Sequence, residues 1–320
     1  MHASVLQARG RYMLGLLALC AATFGTTGAL AQQAPCDRAC LTRFIDAYYA
    51  ALVANNPAAL PQAAGARITE NAKERKLADT FWPAADKVIW RFDAVNVHRG
   101  DTGTQVVIQN ADGGKTMHLL RLKVKAGAIT EMEIIKANQG DADRLWGPEQ
   151  LKTVSTDLTM SIREQDRDSY YDLIGTVESY WRAFQTNGTP LYRRARIAPD
   201  STRFENGFQT TGMVRDGAFN DTSKGFDAGS FLGRNLWGRR YAVVDEERGI
   251  VLCMVRFGMK AGAKSQSVAT SNSRLVGEFF AIQNLHIQEI QAVLVNIPDE
   301  QPTGWPTTDY GPDQGSSEFF

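Results

Sequence analysis

The densest cluster of charge in the chain is Arg239-Arg240, followed by Asp245-Glu246-Glu247-Arg248. An arginine facing inward here would clamp a carboxylate or phenolate of a ligand through its fork of donors. Adjacent strand residues point to opposite faces, so at most one of Arg239 and Arg240 looks inward. Asp245 to Gly249 sits where a solvated hairpin turn is expected, which favours a structural role with one arginine paired to Asp245. A second group is Arg203-Phe204-Glu205-Asn206-Gly207. Asn-Gly forms turns readily, and the glutamate beside it can simply bond the turn's amides. Past residue 31 the histidines are His98, His118 and His286. His118, in Met117-His118-Leu119-Leu120-Arg121-Leu122, shares a strand face with Leu120 and Leu122 and reads first as a satisfied core residue. His98 and His286 sit beside turns.

No His, Asp and Glu grouping has metal-ligand spacing, so no metal is expected. The sequence contains no G-x-S-x-G, no P-loop and no G-x-G-x-x-G, which leaves serine hydrolysis and nucleotide or dinucleotide binding without an anchor. No cofactor is expected. Cys36 and Cys40 lie four apart at the start of a helical pattern, close enough to bridge. Metal binding by the pair is the sharper reading, but structural zinc needs four ligands and no His or second Cys pair is near. Cys253, in Ile250-Val251-Leu252-Cys253-Met254-Val255, reads as a buried strand thiol.

The elements that must position these residues occur twice. The first copy opens with a helix near Asp37 to Asn55, apolar at Leu41, Phe44, Ile45, Tyr48 and Leu52. A short helical stretch is expected after Pro57, then Ala66 to Glu70-Asn71. Strands are expected at 87–97, 104–109, 115–124 and 129–136, with Asp112-Gly113-Gly114 as a hairpin turn. The second copy opens with a helix near Tyr170 to Gln185, rich in Tyr171, Tyr180, Trp181 and Phe184. It runs to Glu205-Asn206 and then to strands at 240–244, 250–258, 275–282 and 286–295. The extra length of the second copy falls in a glycine-rich insertion at 212–238, read equally as a binding loop or as an ordered surface loop. The expected organisation is thus one domain at 36–140, a helical connector at 141–168, a second domain at 169–298 and a flexible tail at 299–320.

Composition narrows the class. The chain has 320 residues, 35 basic and 35 acidic, is 22% charged and 43% hydrophobic, and so belongs with folded rather than disordered proteins. With no excess of Lys and Arg, no nucleic-acid partner is expected. Arg9 and Arg11, the apolar run Met13 to Phe24, and Ala29-Leu30-Ala31 read as a signal peptide over residues 1–31. That run is too short for a membrane span, which needs about 20 apolar residues, and no later stretch qualifies. The expected location is periplasmic or secreted.

The order of a helix, a second helix, a short strand and four hairpin-connected strands describes an α+β fold in which a curved antiparallel sheet wraps helices into a cone. Arg203-Phe204-Glu205-Asn206-Gly207-Phe208-Gln209-Thr210-Thr211, followed by Arg239-Arg240-Tyr241-Ala242-Val243-Val244-Asp245-Glu246-Glu247-Arg248-Gly249, resembles a family of secreted tandem SnoaL-like proteins of the nuclear-transport-factor-like fold, mostly of unknown function. The resemblance covers nearly all of the chain past residue 31. It implies two cone-shaped domains, each with a pocket. In enzymes of that superfamily a carboxylate near the first strand acts as general base, its pKa raised by an apolar pocket. A hydroxyl on the first helix completes the site. Carried over, Glu205 would be the base and Tyr180 the hydroxyl donor. Asn206, Arg203 and Arg239 or Arg240 would orient the ligand, Trp181 would form a wall, and His118 would touch ligand in the first copy. Glu70, Asn71 and Tyr48 hold the matching positions there. The sequence departs from the isomerase pattern in offering Glu-Asn where Asp is usual. The resemblance implies a cofactor-independent lyase, isomerase or dehydratase acting on a small, partly aromatic or polycyclic molecule. The alternative is a non-catalytic small-molecule-binding protein. A homodimer through the open sheet faces is a further possibility, unless the two copies pair with each other.

Overall fold

The computed structural model describes residues 36–185, 195–212, 214–215, 218–227, 234–259, 273–299 and 301–306. The expected signal peptide, parts of the 212–238 insertion and the end of the tail lie outside the described residues. Helix α1 (Arg38–Val53) starts at Asp37, whose carboxylate accepts from the Cys40 amide at 2.7 Å and satisfies one of the free N–H groups of the first turn. Cys36 and Cys40 are joined by a disulfide across the same turn, so the pair bridges rather than binding metal. Leu41, Ile45, Tyr48, Tyr49 and Leu52, at helical spacing, form its buried face.

Six strands follow: β1 (Gln62–Glu70), β2 (Lys73–Glu74), β3 (Ala85–Asn96), β4 (Asp101–Asn110), β5 (Lys115–Lys125) and β6 (Ala128–Ala137). They form one sheet in the order β2-β1-β6-β5-β4-β3, antiparallel except for β1 against β6. The expected helical stretch after Pro57 is a single 3-10 turn, Pro57–Ala59, and Ala66 to Glu70 belongs to β1. Here pairing with β6 overrides the helix preference of an alanine-rich run. The connector is likewise less helical than its spacing predicts. It holds only α2 (Thr156–Thr159) and two 3-10 turns, because Gly147-Pro148 interrupts any longer helix. Buried Leu151 and Leu158 pin it to the core between the sheets.

The chain continues with α3 (Tyr170–Gln185), β7 (Ile197–Glu205), β8 (Phe208–Thr211), β9 (Val214–Arg215), β10 (Ala218–Phe219), α4 (Lys224–Asp227), β11 (Arg234–Asp245), β12 (Ile250–Met259), β13 (Ser273–Gln283) and β14 (His286–Ile297). The second large sheet runs β8-β7-β14-β13-β12-β11, again with one parallel pair, β7 against β14. The strand order of the first sheet is thereby repeated. The fold is α+β, built on two six-stranded mixed sheets with few helices.

Each sheet packs one face on its long helix and the other on its counterpart. Phe92, Leu119 and Ile135 of the first sheet share a buried cluster with Leu252, Phe279 and Val293 of the second. Glycine permits the approach. A Cβ on Gly277 would fall 2.6 Å from Leu119, and one on Gly103 would fall 2.9 Å from Leu252. These two sheet faces are therefore buried against each other within one chain. The expectation of a flexible tail is corrected for residues 301–306. Trp305 is 6% exposed, donates from Nε1 to Thr69 Oγ1 at 2.8 Å, and lies beneath the guanidinium groups of Arg67 and Arg121. Among the described residues no helix is long and apolar enough to cross a membrane.

Candidate functional site

The arginine pair at the start of the densest charge cluster divides as strand alternation requires. Arg239 lies against Glu178 of α3, Nε to Oε1 at 3.4 Å. Arg240 points the other way, into the seam between the sheets, where it grips both carboxylate oxygens of Glu133. Asp245 pairs with neither of them. Arg38 at the start of α1 reaches it at 2.5 Å and the Val95 amide donates to it at 3.0 Å. The expected pairing with Asp245 is thus corrected, and Arg240 is removed from the ligand-orienting set because its fork is engaged between the sheets.

Asn206 is also corrected. It sits in the left-handed region, at φ 47°, and is fully buried. Its Nδ2 donates to the Leu294 carbonyl at 2.9 Å while its Oδ1 accepts from the Leu294 amide at 3.0 Å. Asn71 does the same to Lys136, at 3.0 and 2.8 Å. The repeated Glu-Asn is a clamp that finishes the parallel strand pair, and the carboxamide is occupied by backbone rather than turned to a ligand. In the first half Glu70 accepts from the Phe81 amide at 2.8 Å, which makes it another backbone anchor.

Glu205 does not bond its own turn. It accepts from Arg203 Nη2 at 2.9 Å, and Arg203 Nη1 lies 2.9 Å from Glu278 on β13. Tyr180 closes the group: its hydroxyl is 3.5 Å from Glu278 Oε1, and the Arg203 guanidinium lies 5.7 Å from its ring centroid. Arg203, Glu205 and Tyr180 are thus brought together, around a fourth residue that the sequence reading passed over. The Glu278 side chain has no exposure, whereas those of Arg203 and Glu205 are 12% and 17% exposed. Its Oε2 has no hydrogen-bond partner among the described residues.

A buried acid with an unpartnered oxygen resists ionisation. Burial pushes the Glu278 carboxyl up to about 7; Arg203 opposes this and the nearby Glu205 charge adds to it. Burial also works against the charge on Arg203, but Glu278 and Glu205 outweigh it and hold the guanidinium above its ordinary range. At neutral pH the group therefore contains a permanent cation, a carboxylate and an acid poised between its two forms. That combination can deliver or accept a proton beside a hydroxyl donor.

The first half supplies an internal control. Glu70 pairs with Ile134 and Glu205 with Ala292, and following the ladders outward matches Ile68 with Arg203 and Leu120 with Glu278. At the two places where the second half buries an ion pair, the first buries two aliphatic side chains. His118, by contrast, packs among Tyr48, Tyr49 and Phe81, with Nδ1 3.2 Å from the Tyr49 hydroxyl. Burial and the neighbouring Lys136 push its pKa down to about 3, so the imidazole is neutral. Trp181 is fully buried against Tyr180, Phe184 and Phe280. No group of three His, Cys, Asp or Glu among the described residues is arranged to hold a metal ion.

Residues 166–294, which contain the whole Arg203–Glu278 group, match the family described as "Domain of unknown function (DUF8021)". No curated protein sequence matches the chain. Among solved structures, one described as "Putative Isomerase from Rhodopseudomonas palustris" is similar over 31% of this chain and 89% of its own, at 12% identity and a TM-score of 0.24. At that score it assigns neither fold nor activity to this chain.

Proposed function

We propose that the second half is a cofactor-independent lyase, isomerase or dehydratase that acts on a small, partly aromatic or polycyclic molecule, on a SnoaL-like plan repeated in tandem. Glu278 is the proton-transferring group, Tyr180 the hydroxyl donor and Arg203 the charge that holds Glu278 in place. Glu205 neutralises Arg203 and keeps Glu278 poised. Arg203 already faces two carboxylates, so the site favours a neutral ligand over an anionic one. The observation that carries this reading is the placing of Arg203 and Glu278 where the first half has Ile68 and Leu120. A buried ion pair is a costly replacement for packed aliphatic side chains and contributes little to stability by itself.

A metabolite-library thermal-shift screen would find the ligand, since a binder at a hundred times its Kd adds about 2.7 kcal/mol. With that ligand, Glu278→Gln is expected to lower turnover by roughly 10²–10⁴-fold, the usual contribution of a positioned acid or base. Unchanged turnover would remove Glu278 from the chemistry. Binding without turnover in the wild type would instead favour the small-molecule-binding alternative. Residues 1–31 are proposed to direct export to a periplasm or beyond, so the exported protein should begin at Gln32. An N-terminal peptide that retains Ala29 to Ala31 would contradict this.

A further inference from the structure

The two parallel strand pairs share an irregularity. In β1 the residues Ala63 to Ala66 lie between the partners Gln62↔Ile129 and Arg67↔Glu131, so they arch away from the single residue Thr130. In β7 the residues Ala198 to Ser201 arch in the same way opposite Gln288, between Ile197↔Ile287 and Thr202↔Glu289. Such an arch takes backbone N–H and C=O groups out of the ladder, and another partner must satisfy them. In the second half the insertion supplies it. Ser201 Oγ donates to Thr222 Oγ1 at 2.8 Å, and Thr222 Oγ1 donates to the Ser201 carbonyl at 3.3 Å. Asn220 fastens the same segment to β8, its Nδ2 donating to the Thr210 carbonyl at 2.7 Å. The first half has no such insertion. Its arch, with Ala64 and Gly65 exposed, borders an open groove of about 520 Å³ that Arg75, Lys76 and Leu77 line on the other side. Beyond Arg75 and Lys76 lie Glu70, Glu74 and Asp79, of which Glu70 is engaged by the Phe81 amide and Glu74 by Arg67.

The chain itself is delivered to this strand. Gln301 Nε2 donates to the Asn71 carbonyl at 2.8 Å, Arg67 donates to the Gly304 carbonyl at 2.6 Å, and Trp305 is fixed on Thr69. Past Pro306 the sequence reads Thr307-Thr308-Asp309-Tyr310, two β-branched residues and a tyrosine that suit extended chain. Residues 307–320 also carry Asp309, Asp313 and Glu318 with no Lys or Arg, the complement of Arg75 and Lys76. Extended chain advances about 3.3 Å per residue, so the path from Thr69 to Ala64 is roughly 17 Å and residues 306–310 cover it. We propose that Thr307 to Tyr310 dock in the groove against Ala63 to Ala66, with Asp309 toward Arg75 and Lys76, and serve this arch as Asn220 to Thr222 serve the arch of the second half. Docking shields backbone groups that would otherwise offer a template for pairing with another chain.

The test is amide hydrogen exchange on the full chain past residue 31, read at Ala63 to Ala66 with the amides of α1 as the control for folding. Thr308→Pro in the tail and, independently, the double substitution Arg75→Glu with Lys76→Glu in the groove are each expected to speed exchange at the arch by roughly fivefold or more, the worth of one net hydrogen bond, while α1 exchanges as in the wild type. Exchange at the arch of the wild type as fast as in an unstructured peptide would mean that nothing is docked there and would overturn the proposal. Protection that survives either variant would also overturn it, because the partner of the arch would then lie elsewhere than in the tail. Protection that is lost when the wild type is diluted would make the occupant a second copy of the chain, and the proposal would fall to that result as well.

Discussion

Glu278 and Leu120 occupy one place in two copies of the same sheet, where a leucine is exchanged for a buried acid. It was legible in part. A glutamate within Leu275-Val276-Gly277-Glu278-Phe279-Phe280 is a charge in an otherwise apolar strand, and charged side chains are rarely buried unpaired. Of Glu205-Asn206-Gly207, only Glu205 belongs to the group around Glu278. Asn206 serves the backbone of Leu294, and Glu205 bonds Arg203 while its charge helps raise the Glu278 pKa. The raised pKa has a consequence for stability. Free glutamate ionises near 4.5 and folded Glu278 near 7, so the native state holds this proton more tightly than the unfolded chain does. Its contribution is fully present below the lower value and is lost as pH rises through the upper one. Urea midpoints should therefore fall in the wild type relative to Glu278→Gln between about pH 4.5 and 7, and a constant difference across that range would contradict the shift.

Among the elements, those with strong local signals were the readable ones. The spacing of Leu41, Ile45, Tyr48 and Leu52 gave α1, and Asp112-Gly113-Gly114 gave the turn between β4 and β5, with Gly113 at φ 83°. The connector failed because its apolar spacing marks only which residues are buried, while Gly147-Pro148 decides the backbone. The parallel pairs β1·β6 and β7·β14 were invisible, since a period of two fixes the face of a strand but not its partner. Those pairs are finished by the asparagine clamps. Asn71→Ala and Asn206→Ala should each cost about 1–3 kcal/mol, the penalty for leaving buried backbone groups unpaired. Chemical denaturation would show it. A cost below about 0.5 kcal/mol, the range of ordinary surface changes, would mean that the clamps are incidental.

At the scale of the molecule the duplication was read from the sequence, whereas the back-to-back packing of the two sheets was not. Arg240 and Glu133 lie 107 residues apart, and no local pattern links them. The glycines that admit the approach, Gly103 and Gly277, carry no signal until the facing Leu252 and Leu119 are known. Arg240, Glu133, Arg121 and Asp101 form a buried ionic chain through this seam. Glu133→Leu alone should cost about 3–5 kcal/mol by stranding buried guanidinium charge, whereas adding Arg240→Met should restore most of it. Equal destabilisation of the single and double variants in thermal melts would show that the pair does more than neutralise itself.

The central claim is that Glu278 exchanges its proton near neutral pH inside the second half. A carboxyl 13C NMR titration of the wild-type protein, assigned by the resonance missing from Glu278→Gln, measures this directly. The expected midpoint is about 7. A midpoint near that of a free glutamate, about 4.5, would contradict the account.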